Sequence, residues 1–251
     1  MTFRELHYGA RPLLLPNAWD FVSGAALAEA GFAAIGTTSL GVAAAAGKLD
    51  GEGGTREETV RLARALVRLP VPVTVDVEDG FSAEPGEVAA LAEELASYGV
   101  AGINVEDGRA DGSLAPVAHQ VAVIEAVKAR VPDLFVNART DAYWLPGHSG
   151  EGVQRARAFA DAGADGIFAP GVAEERDVRA MVEATPLPLN VLFQPGRTDI
   201  GRLAELGVRR VSYGSLLFRT ALHAAVTTAL EQKAPAGVPS YADVQGLVER
   251  R

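Results

Sequence analysis

The chain has 251 residues, 48% hydrophobic and 22% charged, the profile of an ordinary globular protein long enough for one large core. A net charge of -9 without a long basic run argues against nucleic acid and anionic membrane as partners, and the lack of cysteine removes disulfides, thiolate nucleophiles and thiolate metal sites together. No charged start leads into a long apolar run and no apolar stretch reaches ~18 residues, so neither a signal peptide nor a membrane-spanning helix is expected, and the protein is expected in the cytoplasm.

Short β-branched or apolar runs over 13–18, 33–38, 73–78, 102–106, 134–140, 166–170, 187–192 and 210–214 predict eight strands. Between them, residues 55–69, 85–98, 116–130 and 152–162 carry helical spacing. Gly31, Gly99, Gly163 and Gly207 each stand where a helix would end and turn into the next strand. Alternating strands and helices imply parallel pairing through crossovers, and eight such units in this length predict an α/β fold of the (β/α)8 TIM-type barrel class. The competing open doubly wound sheet lacks support, because no GxGxxG follows the first strand. Residues 233–240 (KAPAGVPS) read as a break, dividing a barrel over 1–232 from a C-terminal extension over 233–251 whose residues 244–251 suggest a short helix.

In such a barrel, chemistry collects at the C-terminal ends of the strands and in the loops that follow them. The polar residues there are Asn17 and Asp20; Thr37, Thr38 and Ser39; Asp76, Glu78 and Asp79; Glu106 and Asp107; Asn137, Arg139 and Asp141; Asn190 and Gln194; Ser212 and Ser215. Acids ending the third and fourth strands suggest a divalent cation held by hard oxygen ligands; the plainer reading makes each a helix cap or an arginine partner. With no His or Cys beside them, Mg2+ suits the set better than Zn2+, and since Mg2+ keeps several waters only one carboxylate need touch it. Arg139 offers a fixed fork of donors to a carboxylate or phosphate, or else a salt bridge to Glu106 or Asp141.

After the second strand, residues 36–41 (GTTSLG) are small enough to expose backbone N–H groups to an anionic oxygen. They lead through an alanine run into residues 48–54 (KLDGEGG), a glycine-rich polar loop able to move. The four histidines show no metal-ligand spacing, and only His148 stands near the mouth. Trp19 and Trp144 read as rim packing.

The stretches LPNAWD (15–20), TTSLGVAAAAGKLD (37–50), VDVEDGF (75–81), INVEDG (103–108), NARTD (137–141), LNVL (189–192) and VSYGS (211–215), in this order, resemble the strand-end motifs of the isocitrate lyase and phosphoenolpyruvate mutase superfamily. The resemblance runs from about residue 14 to residue 230. It implies Mg2+, with Mn2+ able to substitute, bound near Asp76, Glu78 and Glu106, with Asp76 in direct contact and the others acting through water. It implies a 2-oxo acid held by Thr38, Ser39, Leu40, Asp76, Arg139 and Asn190, with Arg139 and the mobile-loop residue Asp50 as catalytic groups. It also implies a homotetramer, a dimer of dimers, in which the apolar helix near residues 216–230 swaps between neighbouring subunits.

Two departures narrow the reaction. Isocitrate and methylisocitrate lyases share a KKCGH lid whose cysteine acts as acid or base; here the equivalent segment reads DGRADGSLAPV. The phosphonate-forming mutases and hydrolases carry a Lys-x-Asn pair in that lid, and residues 108–114 hold neither Lys nor Asn. The expectation is therefore a Mg2+-dependent carbon–carbon lyase on a small 2-oxo or 2-hydroxy dicarboxylate, working through an enolate. Decarboxylation needs no base, whereas a retro-aldol or retro-Claisen cleavage needs one, for which Asp50, Asp79 and Tyr143 are candidates. The alternatives are phosphoenolpyruvate or phosphonopyruvate chemistry, and a 2-oxo acid binding protein without turnover.

Overall fold

In the computed structural model, which describes residues 1–249, every expected strand forms. They are β1 (Leu13–Leu15) with β2 (Asn17–Ala18), β3 (Ile35–Thr37), β4 (Val73–Asp76), β5 (Gly102–Glu106), β6 (Phe135–Arg139), β7 (Gly166–Ala169), β8 (Leu189–Leu192) and β9 (Arg210–Ser212). Pro16 has no N–H to give a ladder, so it splits one extended run into β1 and β2. The first half pairs with β9 and the second with β3, both in parallel, and the other strands pair in chain order between them. The sheet thus closes on itself as the expected (β/α)8 barrel.

The helices that follow the strands are α1 (Phe21–Glu29), α2 (Ser39–Ala45), α3 (Arg56–Leu66), α4 (Pro85–Ser97), α5 (Val117–Arg130), α6 (Gly152–Asp161), α7 (Glu175–Ala184), α8 (Ile200–Glu205) and α9 (Leu216–Glu231). Local chemistry sets their ends. Asp20 accepts from the Ser23 amide at 2.7 Å while the Ser23 hydroxyl meets the Asp20 backbone, a reciprocal cap that starts α1. Gly31, Gly99, Gly163 and Gly207 sit at φ between +90° and +99°, the left-handed turn that glycine makes at little cost. Residues 233–240 carry neither helix nor strand. The last helix, α10 (Tyr241–Glu249), lies against α1 and begins earlier than the sequence suggests; Arg250 and Arg251 lie outside the described residues. Among the described residues no helix is long and apolar enough to cross a membrane.

Two cores hold the barrel. The larger lies between strands and helices, where Val75, Ile103, Val105 and Val136 meet Leu66, Leu91, Leu95, Ile124 and Phe159, all essentially solvent-free. Strands buried on both faces explain the unbroken apolar runs. The smaller core fills the base of the barrel: Leu13, Leu15, Ala34 and Phe135, plugged from below by Phe3. His7, on the one-turn helix Glu5–Tyr8, stacks on the Phe135 ring with centroids 4.4 Å apart, and its Nδ1 lies 3.0 Å from the Phe3 carbonyl oxygen.

Burial, with the Arg210 charge nearby, pushes the His7 imidazole down to about 3. Below about pH 6.5 the unfolded chain therefore takes up a proton that the folded chain refuses. Stability from this group is complete above that pH and is lost as pH falls towards 3. Between pH 7 and pH 5 the loss amounts to about 2 kcal/mol. His7→Phe is expected to remove this term: urea denaturation at the two pH values should show a shallower pH dependence in the variant, and equal slopes would contradict it.

Candidate active site

Alternation along the strands sends every second side chain inward, and these form layers. Above the apolar base lies a polar layer. Asn137 Nδ2 donates to Asn104 Oδ1 at 2.9 Å, Arg210 Nη2 reaches the same oxygen at 3.2 Å, and the Ser212 hydroxyl lies 3.3 Å from Asn190 Oδ1. Arg210 is fully buried, and that burial, partly offset by the Asp76 charge, brings its guanidinium down to about 9.

The top layer opens into a cleft of about 140 Å3 at the C-terminal strand ends. A buried water needs roughly 10–15 Å3 of such space, so the cleft suits a ligand of about ten heavy atoms. Its polar lining includes Asn17, Thr38, Ser39, Asp50, Asp76, Asn104, Arg139, Ser212 and Ser215. Its apolar lining is Leu40, Trp144, Phe168, Pro170 and Leu192. Ser39 and Leu40 open the first turn of α2, where backbone N–H groups lack intrahelical acceptors.

Arg139 combines both roles considered for it. Its Nε and Nη2 donate to the two Asp141 oxygens at 2.6 and 3.0 Å, and its Nη1 meets Glu106 at 2.5 Å, yet the side chain still borders the cleft. Burial works against its charge, but Glu106, Asp141 and Asp76 outweigh that and raise its pKa. A Cβ on Gly108 would overlap the Asp141 carboxylate, so the glycine of INVEDG makes room for the arginine's partner.

The carboxylates respond to the same crowding. Asp76 is raised to about 6, chiefly by burial, with Arg139 opposing and Asp50 and Asp141 adding repulsion. Glu106 is raised well above its usual range for the same reasons. Three acids, Glu106, Asp141 and Asp76, act on one guanidinium.

Of the expected metal residues only Asp76 lines the cleft; Glu106 stands behind Arg139. Glu78 departs most from its expected position. The strand ends at Asp76, and Glu78 adopts φ +53°, so its carboxylate leaves the alternation and turns to the loop before α3. There Oε1 accepts from the Thr55 hydroxyl at 2.5 Å and Oε2 from the Gly53 amide at 3.4 Å. Among the described residues no three His, Cys, Asp or Glu side chains gather as a ligand set. Glu78 therefore anchors the loop that carries Asp50. Glu78→Ala is expected to raise amide exchange at residues 53–55 about tenfold or more, the worth of one charge-assisted hydrogen bond. Unchanged protection would show that the loop has other anchors.

Other candidates fall elsewhere. Asn190 is buried one layer below the cleft, beside Arg210. Asp107 is sealed between Arg155, at 3.1 Å, and the Asp141 amide, at 2.8 Å, and is structural. Asp79 caps a turn through the Phe81 amide, and His148 pairs with Glu151 at 2.8 Å. Tyr143 packs beside Gly152 and Gly171, away from the cleft. Residues 108–114 close on themselves as a tight hairpin, with Gly108 bridged to Leu114 and the Arg109 amide donating to the Ser113 carbonyl at 3.0 Å. None of them lines the cleft. Asn104, Trp144, Phe168 and Leu192 were not singled out from sequence as cleft residues; Asn104 was within reach, standing two positions before Glu106 on the same strand face.

Comparisons with known proteins identify the family. Residues 3–233 match the phosphoenolpyruvate phosphomutase family. An uncharacterised Mycobacterium tuberculosis (strain H37Rv) protein is 43% identical over 98% of this chain and 95% of its own length. The 2-methylisocitrate lyase of Bacillus subtilis is 32% identical over 88% of this chain and 77% of its own. The oxaloacetate decarboxylase of Pseudomonas fluorescens is 32% identical over 67% of this chain and 60% of its own. A crystal structure from Burkholderia cenocepacia superimposes with a TM-score of 0.86 at 34% identity, covering 92% of this chain and 97% of that one. The chain belongs to the isocitrate lyase/phosphoenolpyruvate mutase superfamily, whose members include carbon–carbon lyases.

Proposed function

We propose that this protein is a Mg2+-dependent carbon–carbon lyase of the cytoplasm, acting on a small 2-oxo or 2-hydroxy dicarboxylate through an enolate. The observation that carries this reading is the charge arrangement of the cleft. Asp50 and Asp76 line it, Glu106 and Asp141 stand behind Arg139, and burial lifts Asp76 and Glu106 towards protonation. Such a set is relieved by a divalent cation, and its all-oxygen character fits Mg2+ or Mn2+. Asp76 would hold the ion, with Glu106 and Glu78 reaching it through water. When bound, the ion supplies Lewis acidity to the oxygen on which enolate charge develops.

The chain's own residues do the rest. Arg139 is held in place by Asp141 and Glu106, so its free N–H groups face the cleft without reorganisation as negative charge grows on the substrate. The opening amides of α2 would take carboxylate oxygens, while Asn104 and Asn17 offer neutral polar contacts. Asp50, on the loop tied down by Glu78, is the one carboxylate among the described lining residues that stands on a loop rather than at a strand end. The phosphoryl alternative is weaker, because among the described residues Arg139 is the only cation lining the cleft and it is already paired twice.

Turnover of oxaloacetate, isocitrate, methylisocitrate, dimethylmalate and phosphonopyruvate, with Mg2+ and with EDTA, tests the proposal. Metal-dependent pyruvate or glyoxylate without phosphate supports the lyase. Released phosphate points to phosphonate chemistry, and ligand binding with no turnover anywhere points to a binding protein.

We infer also that α9, which buries none of its residues and exposes Leu222, Val226 and Leu230, packs against neighbouring copies in a homotetramer.

A further inference from the structure

Asn104 lines the cleft, and its amide is turned from below. Its Oδ1 accepts from two donors, Asn137 Nδ2 at 2.9 Å and Arg210 Nη2 at 3.2 Å. A guanidinium carries N–H groups and no acceptor, so the Asn104 atom that it meets has to be the oxygen. That fixes the neighbour as well. Asn137 must present its Nδ2 to the same oxygen, and its own Oδ1 turns towards β7, where a Cβ on Gly166 would come within 2.9 Å of it. With Oδ1 taken twice, Asn104 keeps its Nδ2 for the cleft, and that atom makes no hydrogen bond among the described residues.

Arg210 opens β9 and Asn104 lies on β5, which stands opposite β9 in this closed strand order, so the side chain crosses the barrel interior. It is fully buried, and its Nε and Nη1 meet no partner. A buried cation so poorly paired contributes little to stability, since an apolar side chain of similar volume in such a place is often neutral or stabilising. What the arginine supplies is direction. Resting on the lyase reading above, we propose that Asn104 is a substrate-contacting residue and Arg210 its positioning residue: from beneath the cleft floor Arg210, with Asn137, holds the Asn104 NH2 towards a carboxylate or oxo oxygen of the substrate seated beside Asp76. Asp76 and Asn104 pair in register on neighbouring strands, so an acceptor and a donor stand side by side there. An unheld amide could offer either end. Held this way it offers only N–H, which a bare oxygen satisfies and an ammonium does not. A donor fixed in advance also needs no reorganisation as charge grows on that oxygen.

Calorimetric titration of oxalate with Mg2+ into wild type, Asn104→Ala, Arg210→Met and the double variant closes a cycle. Each single substitution should weaken oxalate about tenfold, the scale of one hydrogen bond to a charged acceptor. The double variant should bind within about twofold of Asn104→Ala, because the arginine acts only through the amide that it turns. The urea midpoint of Arg210→Met should not fall below that of wild type, since an unpartnered buried charge is removed. A lower midpoint with oxalate affinity intact would make Arg210 a strut and overturn the inference. Losses that multiply to about a hundredfold in the double variant would also overturn it, by showing that Arg210 acts as a charge and not through Asn104. Should Arg210→Met not fold, Arg210→Gln takes its place: glutamine accepts as well as donates and so no longer dictates the amide, and the same non-additivity is expected. Oxalate binding by wild type that is undiminished in Asn104→Ala sinks this inference alone, and no oxalate binding by wild type sinks the lyase reading and this inference with it.

Discussion

Asp76→Asn is expected to lower turnover by about 10²–10³-fold, the usual scale for removing one preorganised electrostatic group. The side chain is nearly isosteric, and both oxygens of the native carboxylate face constraints an amide meets only in part: Oδ1 accepts from the Glu78 amide at 3.2 Å, and the other oxygen is left for the cleft. The fold should survive, since the substitution removes a buried negative charge from a cluster that already repels it. Mg2+ affinity in the wild type should also fall with acid. The free carboxyl sits at about 6, so a cation must displace a proton below that pH and need not above it. Metal titrations at pH 5.5 and 7.5 should differ in the wild type and converge in the variant. Full metal-dependent binding in Asp76→Asn would remove the residue from its assigned place.

Arg139 carries the second large effect, and two substitutions separate its roles. Arg139→Met leaves Glu106, Asp141 and Asp76 buried around no cation, a change of the kind that costs about 3–5 kcal/mol. Arg139→Lys keeps the charge but cannot span both Asp141 oxygens and Glu106 while facing a ligand, because it lacks the planar fork. The lysine variant should fold and bind a 2-oxo acid about 10²-fold more weakly; the methionine variant should show a clear drop in urea midpoint as well. Unchanged ligand affinity in Arg139→Lys would confine the residue to the structural half of its role.

The strands were legible because each is a short β-branched run buried on both faces, and the turns because glycine stands at the left-handed position ending each helix. Asp76, Arg139 and the 38–40 stretch were legible as cleft residues because they sit at strand ends, where barrel geometry alone brings them together, whereas Asp50, in the loop after α2, was legible only through the family resemblance. Strand alternation misled at Glu78: VDVEDG reads as two acids on one face, but a left-handed residue after Val77 breaks the period, and only backbone geometry reveals it. Depth was invisible as well. Asn190 and Asp76 both point inward, yet one lies a layer below the other, a difference of strand stagger rather than residue type. The Asp107 pairing with Arg155 spans 48 residues and left no local trace. Phe168 and Leu192 went unseen as cleft residues because they look like any core residue until the layer above them is found to be open.

The most direct measurement is calorimetric titration of oxalate, a planar dianion shaped like the pyruvate enolate, into the wild-type protein with Mg2+ and again with EDTA. Micromolar or tighter binding that requires the metal and disappears in Asp76→Asn is expected. Binding of equal strength with EDTA, or none under either condition, would contradict a metal-stabilised enolate at this site.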